Sequence, residues 1–171
     1  VSREESLSLS ARKSVRMERI WMEVNADALR SNYRTLARRV APLDLFAVVK
    51  ADAYNVGAAS VAEILKDDVP GFCVAMPSEA APLLGFGRRV RLLGGLFDDE
   101  IELAVRHDMI PAISSLETAE KLNREAARGN RILDVMVKLD TGMGRFGFLP
   151  DVALDAIRRI DAMSNLRVSD L

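Results

Sequence analysis

Short apolar runs alternate with stretches of helical spacing along almost the whole chain, and this alternation restricts the available folds more than any other feature. The runs are Ile20 to Val24, Leu45 to Val49, Phe72 to Met76, Val90 to Leu93, Ile110 to Ile113, Ile132 to Leu139 and Leu166 to Val168. Between them, Leu29, Tyr33, Leu36 and Val40 recur at helical intervals behind Asn25. Ser114 and Glu117 predict a capping box for a helix ending near Gly129. Strand, helix, strand in repetition predicts right-handed βαβ units. Strands that read as continuous apolar runs predict a parallel sheet covered on both faces.

A doubly wound open sheet and a closed α/β barrel share this pattern. A dinucleotide-binding sheet would carry G-x-G-x-x-G after its first strand, whereas Leu45 to Lys50 is followed by Ala51-Asp52-Ala53-Tyr54-Asn55-Val56-Gly57. The barrel is therefore the expected fold. At 171 residues the chain is shorter than the roughly 250 that a full eight-fold barrel usually takes, so the expectation is an incomplete (β/α)8 TIM-type barrel of parallel strands. Val1 to Arg16 are rich in serine and charge without apolar period and read as a disordered arm or extension (1–16). Residues 17–171 form the barrel portion.

A formal charge of −1 provides no global field to recruit nucleic acid or an anionic membrane, which points to a small-molecule partner. Cys73 is the single cysteine, set within Phe72-Cys73-Val74-Ala75-Met76, so an internal disulfide and zinc-knuckle spacing are excluded and a buried thiol is expected. No apolar stretch reaches the ~20 residues that span a bilayer, and the first sixteen residues lack the apolar centre of a signal peptide. A soluble, cytoplasmic protein is expected.

Two lysines stand in unusual settings. Lys50 ends the most apolar run, at the carboxyl edge where α/β folds place their sites. Partial desolvation there would make its amine a better imine former and a usable base, although a lysine at a strand end can also simply reach out to solvent. Period-two alternation along Val135-Met136-Val137-Lys138-Leu139 sets Met136, Lys138 and Asp140 on one face. If the valines pack on helices, Lys138 points into the barrel, buried, where it must meet a carboxylate, lose its proton or be chemically altered. Asp140 is the plain structural partner. The turn Asp140-Thr141-Gly142-Met143-Gly144-Arg145 then spaces two glycines for close backbone approach and delivers an arginine.

Together these pieces resemble a known family. Val48-Val49-Lys50-Ala51-Asp52-Ala53-Tyr54 is similar to the cofactor-lysine signature of alanine racemases. Lys138-Leu139-Asp140-Thr141-Gly142-Met143-Gly144-Arg145-Phe146-Gly147 resembles their second hallmark. Weaker similarity in Val74 to Ala80 and Arg91 to Gly95 extends the likeness over about Met17 to Leu171. The resemblance implies a fold-type III enzyme, an isomerase interconverting L- and D-alanine for peptidoglycan synthesis. Lys50 would form an internal aldimine with pyridoxal 5'-phosphate and act as one of two bases. Tyr54 would contact the cofactor phosphate, Arg145 would reach its phenolic oxygen, and Lys138, carbamylated in many members, would orient Arg145. The intact protein would be a homodimer.

The sequence also departs from the family pattern. Asn55 and Val56 stand where members carry glycine and histidine, and the chain stops before the segment that bears a cofactor-stacking histidine. The only histidine, His107, is expected on a helix surface. The last barrel strands and a β-rich C-terminal domain that supplies the second base are expected to be absent, so this chain alone is expected to be inactive and prone to associate through open edges. A non-catalytic single-barrel cofactor-binding protein and a serine or broad-specificity racemase are the alternative readings.

Overall fold

The computed structural model describes residues 22–171. The proposed arm at 1–16 lies outside the described residues, as do Ile20 and Trp21 of the first apolar run. Met22 to Val24 have no regular structure. The chain then runs α1 (Ala26–Val40), β1 (Ala47–Val48), a left-handed helical turn α2 (Lys50–Asn55), α3 (Ala58–Leu65) and β2 (Gly71–Val74). A 3-10 segment (Pro77–Phe86) leads to β3 (Arg89–Leu92), α4 (Ile101–Arg106) and β4 (Ile110–Ile113). It closes with α5 (Leu116–Arg128), β5 (Leu133–Val137), α6 (Pro150–Asp161) and β6 (Leu166–Asp170).

The six strands are all parallel and lie in chain order, each hydrogen-bonded to the next. An unbroken order of this kind is that of a singly wound barrel; a doubly wound sheet reverses direction at its switch point. The curl is visible in side-chain reach. Arg91 on β3 donates from Nη2 to both carboxylate oxygens of Asp170 on β6 at 3.1 Å. Three strand spacings amount to about 14 Å in a flat sheet, too far for these two side chains, so the inner face must be concave. Asp134 on β5, only 4% exposed, likewise receives hydrogen bonds from Arg89 on β3 and Arg167 on β6. The chain is therefore an incomplete (β/α)8 barrel.

The outer face of the sheet forms the core. Phe72, Val74, Leu83 and Leu92 are fully buried with α3 on one half, and Ile113, Leu122, Leu133, Val135 and Ile160 with α5 and α6 on the other. Alanines such as Ala62, Ala119, Ala126 and Ala156 let the helices approach. Buried apolar side chains of this size each contribute about 1.5–3 kcal/mol.

Helix caps match the sequence in kind but not always in position. Asn25 caps α1 by accepting from Ala28 N at 2.9 Å, as its place before the apolar period predicts. At α5 the cap is Ser115, accepting from Thr118 N at 3.2 Å, and not Ser114 with Glu117. With two adjacent serines the first-turn pattern alone does not select the register; the geometry after β4 does. Gly129 ends α5 as expected, and His107 is exposed at the end of α4.

Candidate active site

The carboxyl ends of the strands surround a cleft of about 650 Å³ lined by Lys50, Ala75, Leu93, Gly94, Ala112, Met136, Val137, Lys138, Leu139, Thr141, Arg145, Phe146 and Leu171. It lies within the ordinary range of small-molecule sites. Lys50, Lys138 and Arg145 all reach it, so two motifs separated by some ninety residues in sequence meet here. Among the described residues, no lining side chain is a carboxylate. Three basic side chains with no acidic one among the described lining give the cleft the charge to balance a ligand carrying negative groups. Gly94 fits this wall by necessity: a Cβ there would stand 2.5 Å from the Ala75 carbonyl oxygen, to which Gly94 N donates at 2.9 Å.

Lys50 follows β1 by two residues and is half-buried. The residues after it are the most unusual backbone in the chain. Ala51, Asp52, Ala53, Tyr54 and Asn55 all have positive φ, between 51° and 69°. For residues bearing a Cβ this costs roughly 1–2 kcal/mol each, so the turn needs support on several sides. Ala53 N donates to Val49 O at 2.9 Å, and Gly57 N to Asp52 O at 2.8 Å. Ala53 is buried, and the Asp52 carboxylate accepts from Ala58 N at 2.6 Å. Glu79 accepts from Ala51 N through Oε1 at 2.9 Å and from Ala75 N through Oε2 at 2.7 Å. Sustained strain of this kind clusters where a function demands it.

Lys138 and Arg145 belong to the second motif. Val135 and Val137 pack outward against the helices, which leaves Met136 and Lys138 facing the cleft, as alternation predicts. Lys138 is exposed in the cleft mouth and not buried, because it lies at the end of β5 where the sheet gives way to open space. Asp140 forms no ion pair with it. Instead its Oδ1 accepts from Gly142 N and Gly144 N, both at 3.0 Å, and these amides, with Gly144 foremost, hold its carboxyl below the usual carboxylate range. Asp140 thus folds the glycine loop that carries Arg145, whose guanidinium lies over the Phe146 ring at 5.0 Å. The loop is closed at its base: Phe148 N donates to Lys138 O at 2.8 Å and Asp140 N to Phe148 O at 2.9 Å.

Tyr54, at 61% exposed, stands on the left-handed turn outside the cleft lining. Two contributors were not assigned a role by sequence reasoning, Glu79 and Asp140 as a loop clamp. The amide partners of Asp140 are local and follow an aspartate-glycine pattern. One partner of Glu79 lies twenty-eight residues away, so no local pattern could reveal it. Cys73, buried as expected, faces Arg91 and Asp170; burial pushes its thiol up to about 11.

The family described as alanine racemase, N-terminal domain, matches residues 24–171. An alanine racemase of Halothermothrix orenii is 33% identical over 155 residues, covering 88% of this chain and 41% of that protein. The structure of an alanine racemase from Bartonella henselae with covalently bound pyridoxal phosphate superposes with a TM-score of 0.75 at 29% identity, over 85% of this chain and 42% of that one. A histidine racemase from Leuconostoc mesenteroides subsp. sake superposes with a TM-score of 0.74 at 26% identity, over 82% and 39%. The chain thus spans about two fifths of the length of the relatives it matches.

Proposed function

The chain belongs to the alanine racemase N-terminal-domain family, and from that premise we propose that its cleft holds pyridoxal 5'-phosphate on Lys50, as part of an enzyme that interconverts L- and D-alanine. The observation that carries this reading is the convergence of Lys50, Lys138 and Arg145 on one cleft with no acidic side chain among its described lining. The cofactor fits such a donor set: it is an anionic aromatic aldehyde, needing an amine to bond and cations to balance its phosphate and phenolic oxygen. When bound, it supplies an electron sink that acidifies the α-carbon of an attached amino acid.

The chain's own residues have separable tasks. Lys50 would hold the cofactor through its amine and would move a proton on one face of the substrate α-carbon. Inversion requires a second base on the opposite face, and no described residue is assigned to that role. Arg145, delivered by the closed glycine loop, would hold the cofactor's phenolic oxygen, and Tyr54, on the turn after Lys50, would contact its phosphate. Lys138, which lines the same cleft as Arg145, would orient the guanidinium once carbamylated, since carbamylation replaces an ammonium with an anion. A cytoplasmic homodimer serving peptidoglycan precursor synthesis completes the proposal.

The histidine racemase likeness favours one second reading, a racemase of a different or broader amino-acid range on the same scaffold. The cofactor assignment is tested by reducing the chain with borohydride in the presence of pyridoxal phosphate and mapping the modified peptide. Labelling at Lys50, lost in Lys50→Ala, is expected. Labelling spread over Lys66, Lys121 and Lys138 would defeat it.

A further inference from the structure

We infer that Glu79 is a positioning residue for Lys50, a role that rests on the cofactor reading above. Its two carboxylate oxygens are divided between two backbone amides on separate strand exits: Ala51 N, one residue beyond Lys50, at 2.9 Å, and Ala75 N, in the cleft wall after β2, at 2.7 Å. Ala51 opens the left-handed turn, whose carbonyls at Asp52 and Ala53 accept from Gly57 and Val56, leaving the Ala51 amide to an acceptor outside the turn. A carboxylate from the 3-10 segment is what satisfies it. The same side chain therefore fixes the spacing between the ends of β1 and β2 and the direction in which Lys50 leaves the backbone.

Only a carboxylate performs this task. It offers acceptors on both oxygens, whereas an amide of equal size offers one acceptor and turns an NH2 toward the other backbone donor. Glu79→Gln therefore retains one of the two bonds and Glu79→Ala neither. Because the partners flank the cofactor amine, loss of the clamp should be felt at Lys50 before it is felt across the sheet.

The test uses the chain itself, with and without pyridoxal phosphate. In Glu79→Ala, hydrogen exchange at the Ala51 and Ala75 amides should quicken about tenfold, the equivalent of one hydrogen bond each. Exchange at Val135 and Val137 on the far half of the sheet should be unchanged. Borohydride trapping at Lys50 should slow by a similar factor, and Glu79→Gln should fall between. Unchanged exchange at Ala51, or equal acceleration at Val135, would overturn the inference, the latter by making Glu79 a general stabiliser. Faster exchange at Ala51 with undiminished trapping at Lys50 would overturn it as well. Should the unsubstituted chain fail to trap pyridoxal phosphate, the cofactor reading falls separately. Acetylation of Lys50 by acetic anhydride, read by mass spectrometry, then decides the positioning role: a severalfold change relative to Lys138 in Glu79→Gln supports it, and none refutes it.

Discussion

Replacing Gly147 by alanine tests whether the loop that presents Arg145 is closed as tightly as the structure shows. Gly147 has φ +133°, and a Cβ there would stand 2.7 Å from Asp140 N, 2.8 Å from Leu139 C and 3.1 Å from Lys138 O. All three are backbone atoms, so no side chain can turn aside. Two responses are open, and the cheaper sets the cost. If the loop keeps its closure, an L-residue is held in a glycine conformation against backbone contacts, at about 1–3 kcal/mol for the conformation alone. If the loop opens, the two bonds between Phe148 and residues 138 and 140 are lost, at about 1 kcal/mol each, and Leu139 and Phe148 lose part of their packing on the β4 to β6 core. Either route predicts a loss of about 2–4 kcal/mol, which for a domain of this size lowers the thermal midpoint by roughly 5–15 °C. Chemical denaturation followed by circular dichroism measures the loss, and reductive trapping with pyridoxal phosphate measures the site. A midpoint within about 2 °C of the unsubstituted chain, with trapping at Lys50 unaffected, would refute the close approach.

Asp134, the buried carboxylate between Arg167 and Arg89, is held below its ordinary value chiefly by its bond to Arg167. Its folded-state value is depressed, so its contribution to stability is complete above the unfolded value of about 3.9 and is lost as pH falls through the folded one. Asp134→Asn should cost about 1–3 kcal/mol at neutral pH, because both arginines are exposed enough to rehydrate. It should also flatten the acid limb of the stability profile; an acid limb of unchanged slope would show that Asp134 does not govern it. Cys73, with its thiol raised from 9.0 to about 11, should react with a disulfide reagent at pH 8 about 100-fold more slowly in the folded chain than in denaturant, since only the thiolate attacks. Equal rates would place the thiol at the surface.

The parallel α/β architecture is legible in the sequence because strand period and helix period are local properties of the chain. Asn25 before α1 and the inward face of β5 at Lys138 follow from short-range geometry in the same way. Local pattern was weaker wherever two neighbours offer the same chemistry, as Ser114 and Ser115 do at the start of α5. It failed where the partner is distant. Glu79 and Ala51 are such a pair, whereas at Asp140 an ion pair with Lys138 and a fold on the following glycine amides are both local options, and only the fold selects the second.

What the sequence determined by itself is the list of chemical groups and their order: an amine at Lys50, an amine at Lys138, an arginine at Arg145 behind spaced glycines. Folding alone settles that these stand around one cleft with no acidic side chain among its described lining, that Lys138 is exposed there, and that five consecutive residues after Lys50 take positive φ. The physical reason is the same in each case. Short-range sterics and periodicity are encoded residue by residue. Burial, charge balance and the offsetting of backbone strain are instead sums over groups brought together by folding, as when Glu79 reaches across twenty-eight positions to hold the amide beside Lys50.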